Sequence, residues 1–204
     1  PRPFGRAHFA NPWEHIMKRI YGLAVLCLLH SAAFAQTNAA PAADLSYTYA
    51  ELRYVDYNDN GGDGFRVNGS FDLGNNWIIL GGLTTADFNN NVDVNIFEVG
   101  GGYVWRYTPD WDIVGTARFV SADVDTPGGS SDESGLALSG GVRGLLAPQF
   151  ELRGSVNYIN LDDSDTYLEV AGDYHFTRQF SAGLSLEFAG DSDLFSIGAR
   201  YFFR

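Results

Sequence analysis

At 204 residues the chain suits a single domain, and an apolar share of 45% excludes wholesale disorder. Its 25 acidic residues outweigh 13 basic ones for a net charge of −12, which argues against nucleic acid as a partner, since phosphate contacts need basic surface. With one cysteine, Cys27, neither a disulfide framework nor a thiolate metal site is expected.

Taken in chain order, residues 1–16 precede the only methionine, Met17, and read as an upstream extension outside the mature protein. From there Lys18 and Arg19 form a positive start, Ile20 to Leu29 an apolar run, and Ala33-Phe34-Ala35 a cleavage site, so residues 17–35 read as a signal peptide cut before Gln36. The apolar run is too short to cross a bilayer as a helix. Cys27 lies inside it behind Leu26, without the small residue a lipid-anchor site wants, and reads as apolar filler. Cleavage would leave nine arginines, no lysine and 24 acidic residues, 9 − 24 = −15. Residues 36–44 read as a linker.

Beyond the linker no segment keeps a helical period, whereas alternation of apolar and polar residues recurs. In the stretch from Phe65 to Leu73, Phe65, Val67, Phe71 and Leu73 face one way, with Arg66, Asn68, Ser70 and Asp72 opposite. The same reading predicts ten strands near 45–57, 65–74, 77–88, 94–107, 111–123, 135–147, 150–160, 166–176, 180–189 and 194–203, with eight as the alternative if two short ones extend their neighbours. Connections alternate. Those at 75–76, 108–110, 148–149 and 177–179 are tight turns, while those near 58–64, 89–93, 124–134, 161–165 and 190–193 are mostly longer and rich in Asn, Asp, Gly and Ser.

The first of these polar connections, DYNDNGGDG over residues 56–64, resembles a calcium loop. Asp56, Asn58, Asn60 and Gly61 fit the start of a helix–loop–helix calcium template, but its twelfth position, a bidentate glutamate, is Val67. A glycine-rich calcium repeat fails at Arg66, where aspartate is needed. The stretch is therefore expected to be a hairpin loop whose glycines supply positive φ.

Charge placement separates a soluble sandwich from a membrane barrel. Seven arginines, Arg53, Arg66, Arg106, Arg118, Arg143, Arg153 and Arg200, fall within strands opposite the apolar series, with Glu51, Asp72, Glu98, Asp112, Glu151, Glu169, Asp173 and Glu187 on their face. A soluble domain would put these charges in water. Against that, aromatic rings concentrate at both strand ends: Phe71, Trp77, Trp105, Trp111, Phe176 and Phe203 near the short turns, and Phe65, Phe88, Phe119, Tyr158 and Phe188 near the polar loops. Rings flanking an apolar band, on strands about ten residues long, describe an all-β transmembrane antiparallel up-and-down barrel over 45–204. In lipid such a sheet must close to satisfy its backbone.

The closing run from Leu194 to Phe203 places Phe195, Ile197, Ala199, Tyr201 and Phe203 at alternate positions, with Arg204 trailing. It resembles the C-terminal assembly signal of Gram-negative outer-membrane barrels. With the leader and the strand pattern, the chain is similar to the small OmpA/OmpX-like surface-antigen barrels. The resemblance implies outer-membrane localisation, both termini periplasmic, polar loops outside, contact with outer-membrane lipids and lipopolysaccharide, and handling by periplasmic chaperones and the barrel assembly machinery. A monomer is expected.

No function-bearing motif accompanies that resemblance. Small barrels resembling lipid A deacylases, palmitoyltransferases and omptin proteases do perform chemistry, but general-base catalysis usually needs histidine, and the mature chain keeps only His175, inward beside a short turn and near Asp173. No catalytic residue and no cofactor are expected. The inward arginines and carboxylates are expected to form a compensating network that plugs a barrel this narrow; a narrow porin-like channel is the alternative. In the outer loops Asp59, Asp63, Asp132, Glu133, Asp162 and Asp163 read first as turn residues, and second as weak Ca²⁺ or Mg²⁺ sites bridging to lipopolysaccharide phosphates.

Overall fold

The computed structural model describes residues 45–57, 61–89, 91–189 and 192–203. The upstream extension, the leader, the linker and Asp59 lie outside them. Ten antiparallel strands follow one another: β1 Tyr49–Tyr57, β2 Gly62–Gly74, β3 Trp77–Phe88, β4 Val92–Arg106, β5 Trp111–Thr126, β6 Gly129–Ala147, β7 Phe150–Asn160, β8 Ser164–His175, β9 Phe180–Ala189 and β10 Ser192–Phe202. Each pairs with its neighbours in sequence, and β1 pairs with β10 to close the barrel. Closure leaves no sheet edge around the wall, the condition for a sheet in hydrocarbon.

The side-chain period of two fixes what each strand buries. In β1, Glu51, Arg53 and Val55 are buried while Leu52 and Tyr54 are exposed; in β10, Ser196 and Arg200 are buried and Ile197 and Tyr201 exposed. Large apolar residues thus stand on the outer wall and charges inside, the reverse of a soluble protein. The rim carrying both strand termini and the tight turns, here the turn rim, is ringed by edge-to-face pairs: Trp77 with Tyr103, Trp105 with Tyr107, Tyr174 with Phe176 and Tyr201 with Phe203. At the turn between β2 and β3, Asn75 and Asn76 adopt φ of 53° and 70°, as a two-residue hairpin requires. Irregularities at Asp72/Gly74 and Leu145/Ala147 mark the same rim.

Three expectations are corrected at the opposite, loop rim. The predicted loop over 124–134 is a hairpin: β5 and β6 stay in register from Val124↔Ser131 to Thr126↔Gly129, turning on Pro127 and Gly128. Its Ser, Asp and Glu composition is loop-like, but the cross-strand ladder, closed by the Thr126 hydroxyl donating to the Gly129 carbonyl at 2.8 Å, outweighs propensity. Phe88 does not join an outer girdle. Its register with Gly62 turns it inward, 4.9 Å from the Tyr57 ring. Among the glycines of residues 56–64, Gly61 has the expected positive φ of 60°, whereas Gly64 is required by space, since a Cβ there would meet the Thr85 carbonyl of β3.

Candidate functional site in the barrel lumen

In the turn-rim half, the inward positions of β1, β6, β7, β8 and β10 bring four arginines and three carboxylates together. Arg200 donates to Glu51 at 2.8 Å and to Glu151 at 3.0 Å and lies 3.8 Å from Asp173. Arg53 donates to Glu51 at 2.7 Å. Arg143 grips Glu151 through two hydrogen bonds of 2.8 and 2.9 Å, the fork geometry that suits guanidinium. Arg153 donates to Asp173 at 3.2 Å and lies 3.7 Å from Glu51. Glu151 is 0% and Arg200 1% exposed. Charges this deep are tolerated because each faces an opposite one within hydrogen-bond reach.

His175 joins this cluster at Glu151, 3.1 Å from its Oε2, rather than at Asp173, and its ring stacks on Phe202 at 5.4 Å. Register explains the difference. Asp173 and His175 share a face of β8 two residues apart, while Glu151 sits directly opposite Asp173 on β7 and so one step from His175.

Two further pairs stand nearer the loop rim and are less buried. Arg66 reaches across from β2 to Glu187 of β9 at 2.5 Å, and Arg118 donates to Glu98 at 2.9 Å, with 15% and 24% of those two side chains exposed. Glu169 lies inward opposite Ser155 and Glu187. Besides Glu169, three expected members make no arginine–carboxylate ion pair among the described residues. Arg106 is exposed at the turn rim, Asp72 accepts from the Gly74 amide at 2.8 Å, and Asp112 accepts from the Tyr47 hydroxyl at 2.9 Å.

Tyr47, expected inside a strand from residue 45, lies outside β1 and belongs to the site without being a sequence candidate. It precedes β1, is 5% exposed, packs on Ile78 and Val104, and lies under Arg143, whose guanidinium carbon is 4.6 Å from the ring centroid. Arg143 also donates to the Ser46 carbonyl at 2.8 Å, and the Asp72 amide to the Thr48 hydroxyl at 3.1 Å. Sequence parity carried a signal: Tyr47 shares the inward alternation of Tyr49, Glu51 and Arg53. Above Tyr47 a cavity of about 510 Å³ runs to Asp165, Ala189 and Leu194 at the loop rim.

On the outer face of the loop rim, cross-strand pairing sets Asp56 opposite Asp63, Asp63 opposite Asp87, Asp87 opposite Asp93 and Asp93 opposite Asp125. Asp123 faces Asp132 one step below. Glu133 points inward beside them, and Asp162 and Asp163 are exposed between β7 and β8. Like charges directly opposite repel. Among the described residues no group of three or more His, Cys, Asp or Glu is arranged to hold a metal ion. The alternating residues Phe195, Ile197, Ala199, Tyr201 and Phe203 face outward along β10.

A search of curated proteins gives no match. Among solved structures the chain is similar to the KdgM porin, at 12% identity over 77% of this chain and 100% of that one, TM-score 0.49. It is also similar to Neisserial surface protein A at 16% identity over 77% and 96%, TM-score 0.41. A third, the attachment invasion locus protein Ail of Yersinia pestis, shows 18% identity over 76% and 99%, TM-score 0.39. The family model for the outer membrane protein beta-barrel domain matches residues 21–193, and the chain, a closed ten-stranded barrel of the outer membrane, belongs to that family.

Proposed function

We propose that the protein is a structural and interaction barrel, closed to solutes at rest, that contributes to envelope integrity and offers an acidic rim to its surroundings. Its turn rim faces the periplasm and its loop rim the exterior. The observation that carries the reading is the buried layer joining Arg200, Glu51, Glu151 and Arg143, which fills one side of the lumen from β1, β6, β7 and β10 with fixed, mutually compensated charge. A solute crossing there would have to separate ion pairs that have no water to replace them. A non-catalytic role fits His175, buried between Glu151 and Phe202.

The acidic row from Asp56 to Asp125 supports contact with lipopolysaccharide through weakly held Ca²⁺ or Mg²⁺, because cations shared with lipid phosphates would relieve its repulsion. The outward run ending at Phe203 supports recognition by the barrel assembly machinery after passage with periplasmic chaperones. A narrow porin-like channel draws support from the cavity, but that cavity ends on Tyr47. Liposome swelling with small sugars tests the closed state. Vesicles carrying the refolded barrel should swell no faster than empty ones, and rapid swelling would overturn the reading. A deletion strain that resists detergent as well as its parent would remove the envelope role.

A further inference from the structure

The lumen is not filled evenly. Apart from Arg143 of β6, the ion-pair layer belongs to β1, β7, β8 and β10, whereas the wall from β2 to β6 also presents Ser70, Leu80, Val114, Thr116 and Ser139 to the cavity. The cavity lies against Glu51, Arg53, Arg143 and Arg153 of that layer and reaches Tyr47, without touching Arg200, Glu151 or Asp173. There the ring is wedged on Ile78 and Val104, with Leu80 and Val114 beside it. Among the described residues, the group at the turn-rim end of the cavity on this side is the Tyr47 ring, whose polar contacts are the Asp112 hydrogen bond and the face of Arg143.

Tyr47 belongs to no strand. Its side chain can leave this seat without breaking any hydrogen bond of the interstrand ladder, whereas clearing the opposite side would mean dismantling the Arg200 layer. The two halves differ accordingly in what holds them shut. We propose that the cavity is a latent path for small hydrophilic solutes and ions, stoppered at the turn rim by Tyr47 and opened when that side chain swings out. The path carries both signs of charge, with Arg66 against Glu187 and Arg118 against Glu98 along it, so it suits neutral or singly charged species rather than polyanions. The proposal rests on the closed-at-rest reading above.

Planar-bilayer recording in potassium chloride tests it, on barrels first shown to be folded by heat-modifiable gel migration. Tyr47→Ala should raise the time-averaged conductance over wild type by about tenfold or more, because removing the group that holds one of two states shifts their populations directly. Tyr47→Phe, which keeps the ring and loses the Asp112 bond, should lie between. Adding Ser139→Trp to Tyr47→Ala should silence the current by filling the cavity. Ile78→Ala, which loosens the seat from the wall side, serves if Tyr47→Ala does not refold. A quiet wild type with an equally quiet Tyr47→Ala, or Ile78→Ala in its place, overturns the stopper and leaves the closed barrel standing. Steady conductance in the wild type overturns both. Current that persists with Ser139→Trp overturns the path.

Discussion

Replacing Glu151 by Gln removes one negative charge from the turn-rim cluster with little change of shape. The wild-type cluster sets Arg53, Arg143, Arg153 and Arg200 against Glu51, Glu151 and Asp173, four cations to three anions. After the substitution four guanidiniums share two carboxylates, and Arg143 loses both of its charged hydrogen bonds. Arginine cannot shed its proton to escape. The loss should therefore cost about 3–5 kcal/mol, the range for leaving a buried partner uncompensated. Arg200→Met is the informative contrast. It leaves three cations with three anions, each still in contact with a partner, so about 1–3 kcal/mol is expected. At the partly exposed pair of Arg118 and Glu98, which lines the cavity, Glu98→Gln should cost less, about 1 kcal/mol, near the upper end for surface pairs. Reversible urea unfolding in lipid vesicles, followed by fluorescence of Trp77, Trp105 and Trp111, measures all three. A Glu151→Gln cost no greater than that of Glu98→Gln would show that charge compensation at Glu151 does not hold the cluster together.

Other expectations concern the wall and rim. Val156→Arg, on the outward face midway along β7, should destabilise by about 2–4 kcal/mol, while Leu73→Arg at the turn rim should cost about 1 kcal/mol or less, as depth in the bilayer dictates; equal costs in the same urea titration would contradict the assigned membrane band. Gly183→Ala should be destabilising because its Cβ would meet the Gly172 carbonyl and Asp173, whereas at the outward Gly140 a Cβ meets nothing within 4 Å and Ala should gain about 0.5–1 kcal/mol. Calorimetric titration of the barrel alone should give no calcium binding tighter than about 1 mM. In lipopolysaccharide-containing vesicles, calcium at about ten times its dissociation constant should add about 1.4 kcal/mol of stability, a gain lost in Asp87→Asn/Asp93→Asn.

Much of the wall was legible in the sequence because a period of two is a local property. Arg53, Arg143 and Arg200 could each be placed inward from immediate neighbours alone. Which carboxylate each would meet could not, since partners are set by register accumulated around ten strands. Arg66 and Glu187 lie 121 positions apart and meet across the lumen. The same limit hid His175's choice of Glu151. Composition misled at 124–134, where polar residues typical of loops are held in a ladder. For Tyr47 parity gives the inward direction, but its partners Arg143 and Asp112 come from β6 and β5, and only the closed barrel brings them to it.

Fixed charge on one side of the lumen and a seated Tyr47 on the other close this barrel. Single-channel recording of the wild-type protein, refolded and showing heat-modifiable migration, tests it most directly. A baseline indistinguishable from protein-free membrane apart from rare brief openings is expected; stable, long-lived conductance steps would contradict closure.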